Sequence, residues 1–320
     1  MAEPGFTRTT PVAALTPRRA YDIDTLDQSV HEDGCRGHGW CFGLPPGISP
    51  EQWPLNPNNG YPLMHGFTVL LPEDYRCHGP DIVALSFFSV APDHSELHAI
   101  CTAMEQKSPS AGPDSLGFEG GARTEHPRLF RLTDLAWPDD PYAIILLTQA
   151  EFEGPFCRPP RTYCNPYQKQ SFRVPEPAWL SKGAAWAYSR ANPYSSLGRL
   201  TEAEGDLAFN RSIRWTPRAR DPNVGKVPRE YYGDSVPSAD SYLQPFYWQD
   251  DIIDVEHYRV HDWAKDHKPD HIGGTMYPAK GIPDGFGSYY IEFDEAFGGY
   301  NFGRGIAQLD FQNMCFDWAC

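Results

Sequence analysis

Proline or glycine stands at nearly one position in five of this sequence, 32 and 28 of 320 residues. Each interrupts regular structure in its own way. Proline removes a backbone donor and cannot sit inside a helix or a central strand, and glycine in an element interior gives up conformational entropy on folding. A chain punctuated this densely excludes long helices and is left with short runs joined by turns. Proline-rich chains can also be disordered, but those lack aromatic residues, whereas here aromatics make up 14%. The expectation is a folded, loop-rich protein that leans towards strands.

The longest organised stretch is the C-terminal one, from His271 to Cys320. Alternation puts Tyr289, Ile291 and Phe293 on one face of a strand and Tyr290, Glu292 and Asp294 on the other. Residues 306–311 read as the return strand, and glycines at 298, 299, 303 and 305 let the backbone reverse between them. Further strands are expected over 67–71, 81–90, 129–135 and 142–149, the last being the most apolar run of the chain. A short helix is expected over 95–105, with Ser95 as its cap, and another within 177–189. Residues 192–242 show no strong period and read as a loop-rich central insertion, long enough that part of it is expected to be ordered or functional.

With 27 basic against 42 acidic residues, the formal charge is −15. That argues against a nucleic-acid binder, which needs a basic footprint, and suits a basic protein partner. No apolar run approaches the ~18 residues that span a bilayer. The first residues carry no apolar segment of a signal peptide, so a cytoplasmic location is expected. None of the eight cysteines forms a C-x-x-C pair. In a reducing compartment they are expected as free thiols, Cys157 and Cys164 included.

Charge is also segregated along the chain. Arg211, Arg214, Arg218, Arg220, Lys226 and Arg229 form a basic run; Asp250, Asp251, Asp254, Glu256, Asp262, Asp266 and Asp270 follow it. Two such runs can neutralise each other internally. Alternatively, the acidic one faces a partner, with Tyr247, Trp248 and Trp263 as aromatic anchors. The partner-binding residues expected on that reading are Tyr247, Trp248, Asp250, Asp251, Asp254 and Glu256.

Motifs that carry catalytic chemistry are sparse. No nucleophile elbow, phosphate-binding loop or dinucleotide fingerprint is present. His31, Cys35, His38 and Cys41 mix ligand types, but their spacing matches no standard metal site, and the glycines around them suit a loop. His257 and His261 would share one face of a helix over 250–266, with Asp254 in reach, which gives an alternative reading as a metal-dependent enzyme. A zincin motif is ruled out by Tyr258, which stands where the general-base glutamate belongs. A third alternative is a module that binds a small molecule through exposed aromatics.

A proline-rich approach, Trp53-Pro54, then Pro62-Leu63-Met64 and a strand leading to Leu85-Ser86-Phe87-Phe88 resembles the first half of the YwqG-like (DUF1963) family of uncharacterised bacterial proteins. Ile272-Gly273-Gly274 with Pro278, the strand ending in Asp294, Gly303-Arg304-Gly305, Asp310, and Phe316, Trp318 and Cys320 resemble its second half. Thr68 and Glu292 stand near the points where the family carries glutamine. The resemblance implies an α+β, sheet-dominated unit with two similar β-rich halves. The domain layout expected is an N-terminal arm over 1–30, extended or forming a short edge element with Ala20–Leu26 as its ordered part, and a single globular unit over 31–320, with the insertion at 192–242. The resemblance also implies a non-enzymatic role without a cofactor, as an immunity protein that neutralises a cognate bacterial toxin by direct binding. No nucleic acid and no membrane enter that reading.

Overall fold

The two most apolar strands pair with each other. In the computed structural model, which describes residues 18–57, 61–93, 124–134, 141–160, 176–194, 197–201, 205–230, 241–248 and 258–320, β4 (Ile82–Ser89) lies antiparallel to β6 (Tyr142–Thr148), with Phe87 opposite Ile144. Both strands are buried on both faces, which explains why their sequences run apolar rather than alternating. Around them a barrel closes. Its remaining strands are β1 (Tyr21–Thr25), β2 (Gly39–Phe42), β3 (Met64–Leu70), β5 (Leu129–Asp134), β7 (Asn210–Pro217), β10 (His271–Ile272), β11 (Tyr290–Asp294), β12 (Ile306–Asp310) and β13 (Cys315–Ala319). The spatial order is β1-β10-β11-β12-β13-β5-β6-β4-β3-β2-β7, and β7 returns to β1. Every pairing is antiparallel except that of β13 with β5. Closure leaves the barrel no free edge. A separate hairpin of β8 (Phe246–Trp248) and β9 (Tyr258–Val260) lies outside it.

Aromatic rings fill the barrel. Phe67, Phe87, Phe293 and Phe316 meet at centroid distances of 5.2 to 5.5 Å along the chain of contacts Phe67–Phe293, Phe293–Phe87 and Phe87–Phe316. Tyr300 enters from the loop between β11 and β12 and packs edge-on to Phe87 at 5.5 Å. Its hydroxyl lies over Gly66, where a Cβ would stand 1.8 Å from the oxygen. Gly66 is also the point at which the β3–β4 register shifts, so the bulge and the missing side chain together admit the ring. The mirror arrangement occurs across the barrel. Tyr75, just after β3, places its hydroxyl over Gly273, again 1.8 Å from an added Cβ, and Gly273 further needs its φ of +61°.

The expected sheet dominance is present. The helices among the described residues are short: α1 (Gln149–Phe152), α2 (Trp179–Lys182) and α3 (Ala184–Ala191). Gln149, expected to end the apolar strand, opens α1 instead, because Thr148 and Glu151 form a reciprocal cap. The helix expected over 95–105 lies outside the described residues.

Two segments are more ordered than an arm and an insertion. The element expected at Ala20–Leu26 is β1, and residues 18–30 belong to the barrel rather than to a free arm. β1 bridges β7 and β10, and the Asn210 amide holds the Val30 backbone from both sides at 2.7 and 3.0 Å. Likewise, the 192–242 segment is not wholly an insertion, since it supplies β7, the strand that closes the barrel. Its inward residues, Ile213 and Trp215, alternate with Arg214 and Thr216, whose outward chemistry hid the strand.

Candidate functional site

Strand β11 is covered on its outer face as well. Glu292 projects there, opposite His271 on β10 and Gln308 on β12, and all three are buried. Glu292 Oε1 accepts from the Tyr277 backbone N–H at 2.6 Å and Oε2 from Gln308 at 3.1 Å. Burial pushes the Glu292 carboxyl up to about 8. The His271 Nδ1 meets the Pro269 carbonyl at 2.8 Å, and burial drives this imidazole well below its usual range.

Beside this group, Arg218 is the anchor of an outer lobe. Its guanidinium, 1% exposed, donates to Asp22 at 2.6 Å, to Asp221 at 2.9 Å and to the Lys268 carbonyl at 3.0 Å. Burial alone favours the neutral form, but Asp22 and Asp221 reverse the balance and raise the affinity for the proton. Asp221 then accepts from the Thr275 hydroxyl and backbone N–H and from the Asn223 N–H. Asn223 in turn grips Leu243 through both backbone groups, at 2.6 and 2.7 Å. The chain thus enters β8 from a fixed point. Tyr277 donates to the Ala264 carbonyl at 2.6 Å and ties down the turn after β9.

A row of rings runs across the lobe this network holds. Tyr247 meets His261 at 4.7 Å, His261 stacks on Trp263 at 5.6 Å, Trp263 meets His267 at 5.7 Å, and His267 meets Tyr277 at 6.2 Å. Within the row the His267 side chain is 5% exposed, whereas Tyr247 is 44% exposed. A large ring left in solvent on a rigidly seated strand is the composition of an interface anchor.

Among the residues expected to bind a partner, Tyr247 is thus placed on β8, opposite Arg259, and Trp248 ends that strand opposite Tyr258. Asp250, Asp251, Asp254 and Glu256 lie outside the described residues, as does His257. The metal reading loses its premise, because residues 258–260 form a strand and His261 begins a turn, so no helix carries His261 through this stretch. The His261 ring is stacked between Tyr247 and Trp263. His31 and Cys35 are exposed, Cys41 is buried in β2, and His38 lies flat on Trp215 at 3.8 Å while its Nδ1 accepts from the Trp215 N–H. Among the described residues, no three His, Cys, Asp or Glu side chains converge as metal ligands. Cys157 is a buried free thiol, and Cys164 lies outside the described residues.

The basic run is spent in a way the sequence did not indicate. Arg211 pairs with Asp27 at 3.5 Å, Arg214 with Asp24 at 3.7 Å and Arg218 with Asp22, all along β1 and its continuation. Lys268 also reaches Asp24. Among the described residues, these arginines thus find carboxylate partners along β1 and its continuation. The buried pair Arg218–Asp22 is the part of the framework that sequence reading missed, since nothing local relates residues 196 apart, whereas Asp221 stands only three residues beyond Arg218.

One constellation has the residue types of nucleophilic catalysis. His65 Nε2 lies 2.9 Å from Thr68 Oγ1, which lies 2.7 Å from Ser86 Oγ. All three are buried within β3 and β4, and burial lowers the His65 pKa to about 4. A group sealed between strands has no path to substrate, and the chain serves to satisfy polar atoms inside the sheet. Compared with known proteins, the chain matches no family model, no curated protein and no solved structure. No helix among the described residues is long and apolar enough to cross a membrane.

Proposed function

We propose that this chain is a non-enzymatic binding protein that neutralises a basic protein partner, as an immunity protein does a cognate toxin, through the lobe formed by β8, β9 and the turn that follows. The observation that carries this reading is the fate of the arginines. Arg211, Arg214 and Arg218 have carboxylate partners of their own in Asp27, Asp24 and Asp22, all at the N-terminal end of the chain. The acidic run 250–256 links the two strands on which Tyr247 stands exposed. An acidic segment beside an aromatic anchor suits a basic surface: the charges steer the encounter and the ring holds it.

The YwqG-like resemblance belongs to this proposal, together with the cytoplasmic setting and the α+β fold of two similar halves. In support of the halves, each contributes a tyrosine that covers a glycine of the other, Tyr75 over Gly273 and Tyr300 over Gly66.

The test is affinity capture from the native host with the full chain as bait, at low and at high salt. A single basic protein retained at low salt, released at high salt, and whose toxicity on expression is relieved by this chain, is the expected result. Substituting Asp250, Asp251 and Asp254 by Asn and Glu256 by Gln should slow association severalfold, and Tyr247→Ala should speed dissociation. A partner held equally well by these variants, or held without salt dependence, rejects the site.

A further inference from the structure

A second hollow lies at the mouth of the barrel, between the end of α3 and the glycine-rich loop that joins β11 to β12. Two adjoining cavities of about 580 and 600 Å³ share Tyr188, Asn192, Tyr194, Glu295 and Arg304 as walls. Each volume falls in the range of sites for small organic ligands, ~300–1,000 Å³.

The floor is built rather than incidental. Glu295 is 6% exposed, and its Oε1 accepts from the backbone N–H groups of Phe302 and Arg304 at 2.6 and 2.7 Å. Its Oε2 accepts from Asn192 at 3.2 Å, and the same amide nitrogen reaches the Tyr188 hydroxyl at 3.3 Å. One carboxylate thereby fixes the loop to the helix. Asp294 uses Oδ1 to cap the N–H groups of Ala296 and Phe297, while its Oδ2 accepts no hydrogen bond among the described residues.

Arg304 is the informative residue. It is exposed, and among the described residues its one hydrogen bond is made by the backbone N–H, not by the guanidinium. Its φ of +69° follows Gly303 at +62°, in a region where glycine would sit at lower cost. The chain thus accepts a backbone penalty at a solvent-facing position on the wall of both cavities and places there a cation without an ion pair among the described residues. On the rim, Tyr194 is 86% exposed. The cleft therefore offers an open cation, an open carboxylate oxygen and an open ring. The carboxyls of Asp93, Asp294 and Glu295 outnumber Arg304 there, and burial with the neighbouring Asp294 raises the Glu295 pKa, a crowding that a ligand cation would relieve.

We propose that this cleft binds a small zwitterion of short-peptide size, with its carboxylate on the Arg304 guanidinium, its ammonium on Asp294 and an apolar face on Tyr194. Bidentate pairing with a carboxylate is the geometry a guanidinium favours, and a ligand bearing both charges satisfies both walls at once. This site lies on different elements from the lobe, so the two proposals stand separately.

The experiment is calorimetric titration of the full chain with two probes, tri-alanine and a tripeptide with a central tyrosine, each also in N-acetylated and C-amidated form. Saturable binding of a free peptide is expected, weakened at least about tenfold by either block, as loss of one charge-assisted contact implies. Arg304→Gly is the decisive variant, because glycine suits φ +69° and the fold is kept while the cation is lost. It should weaken the free peptide about tenfold or more and leave the C-amidated form unchanged. Asp294→Asn retains an oxygen for the loop N–H groups and should affect only peptides with a free amine. Failure of both free peptides to bind, equal binding of free and blocked forms, or full affinity in Arg304→Gly overturns the proposal.

Discussion

Two glycines that look alike have different reasons to be glycine, and substitution separates them. At Gly66 the backbone is ordinary and the obstacle is the end of the Tyr300 ring, with its hydroxyl 1.8 Å and its Cζ 2.5 Å from an added Cβ. That hydroxyl is itself buried with no hydrogen-bond partner among the described residues. Gly66→Ala should therefore cost ~1–3 kcal/mol by overpacking, and Tyr300→Phe should be neutral or stabilising by up to ~1 kcal/mol, because it removes an unpaired polar atom. Combined, the pair should recover little of the loss, because the Tyr300 ring carbons Cζ and Cε1, which phenylalanine keeps, also stand 2.5 and 2.6 Å from the added Cβ. At Gly273 the Tyr75 ring is equally close, and the φ of +61° adds a conformational demand. Gly273→Ala should therefore cost about 1 kcal/mol or more beyond Gly66→Ala. Denaturant midpoints of the six variants, Tyr75→Phe and its double with Gly273→Ala included, check both cycles; full recovery in either double variant would show that the hydroxyl alone is the obstacle, and equal losses at the two glycines would rule out the conformational part. At this scale also belongs Arg218. Arg218→Met leaves Asp22 and Asp221 without their cation, and Asp221 is fully buried, so a loss of about 3–5 kcal/mol is expected.

Elements were legible in the sequence where one physical demand dominated. β4 and β6 are covered on both faces, so a continuous apolar run betrayed them. β11 and β12 announced themselves by alternation and by the glycines between them, although the outer face carries buried Glu292 and Gln308 where solvent-facing residues are normally found. β7 was hidden because its outward arginines read as a patch, although Ile213 and Trp215 keep the period of two. β2 was hidden by its glycine-broken approach, and β9 by the helical spacing of the histidines around it. Of the site, Tyr247 could be read as an aromatic next to acids. The Arg218 network could not, because it joins β1, the chain after β7 and the approach to β10. The element-scale prediction concerns that network. Asn223→Ala removes both hydrogen bonds to Leu243 and should loosen the lobe while the barrel stays intact. Amide exchange is expected to accelerate over 242–248 and 258–267, with β3, β4 and β6 unchanged. Uniform acceleration across the barrel would show instead that lobe and barrel unfold together.

For the whole molecule, buried ionisable groups set opposite slopes of stability against pH, and their crossing locates the optimum. Burial lowers the pKa of five histidines, His38, His65, His126, His267 and His271, with His65 reaching about 4. Each takes up a proton in the unfolded chain before it does so in the fold. Their contribution is complete above the unfolded value near 6.5 and is lost as pH falls through the folded values. Glu292 and Asp270 act in the reverse sense. Burial raises both, Glu292 to about 8, and for Asp270 the Asp294 charge adds to the effect. The fold keeps these protons where the unfolded chain has released them, so their contribution is complete in acid. It declines from about pH 4 upwards, until the folded value is passed. Below pH 6.5 the five histidines outnumber the four carboxyls that burial raises, Glu295 and Asp317 with these two, and stability should rise with pH. Above it Glu292 and Asp270, the carboxyls raised furthest among the described residues, still titrate, and stability should fall by roughly 1.4 kcal/mol per pH unit for each until about pH 8. The optimum is expected near pH 6.5. Glu292→Gln tests the argument directly, since the amide oxygen can still accept from the Tyr277 N–H but the side chain no longer ionises. Denaturation midpoints taken across pH 5 to 9 should show the decline above the optimum reduced by about half in this variant. A decline of undiminished steepness would assign it to other groups and return Glu292 to an ordinary carboxylate.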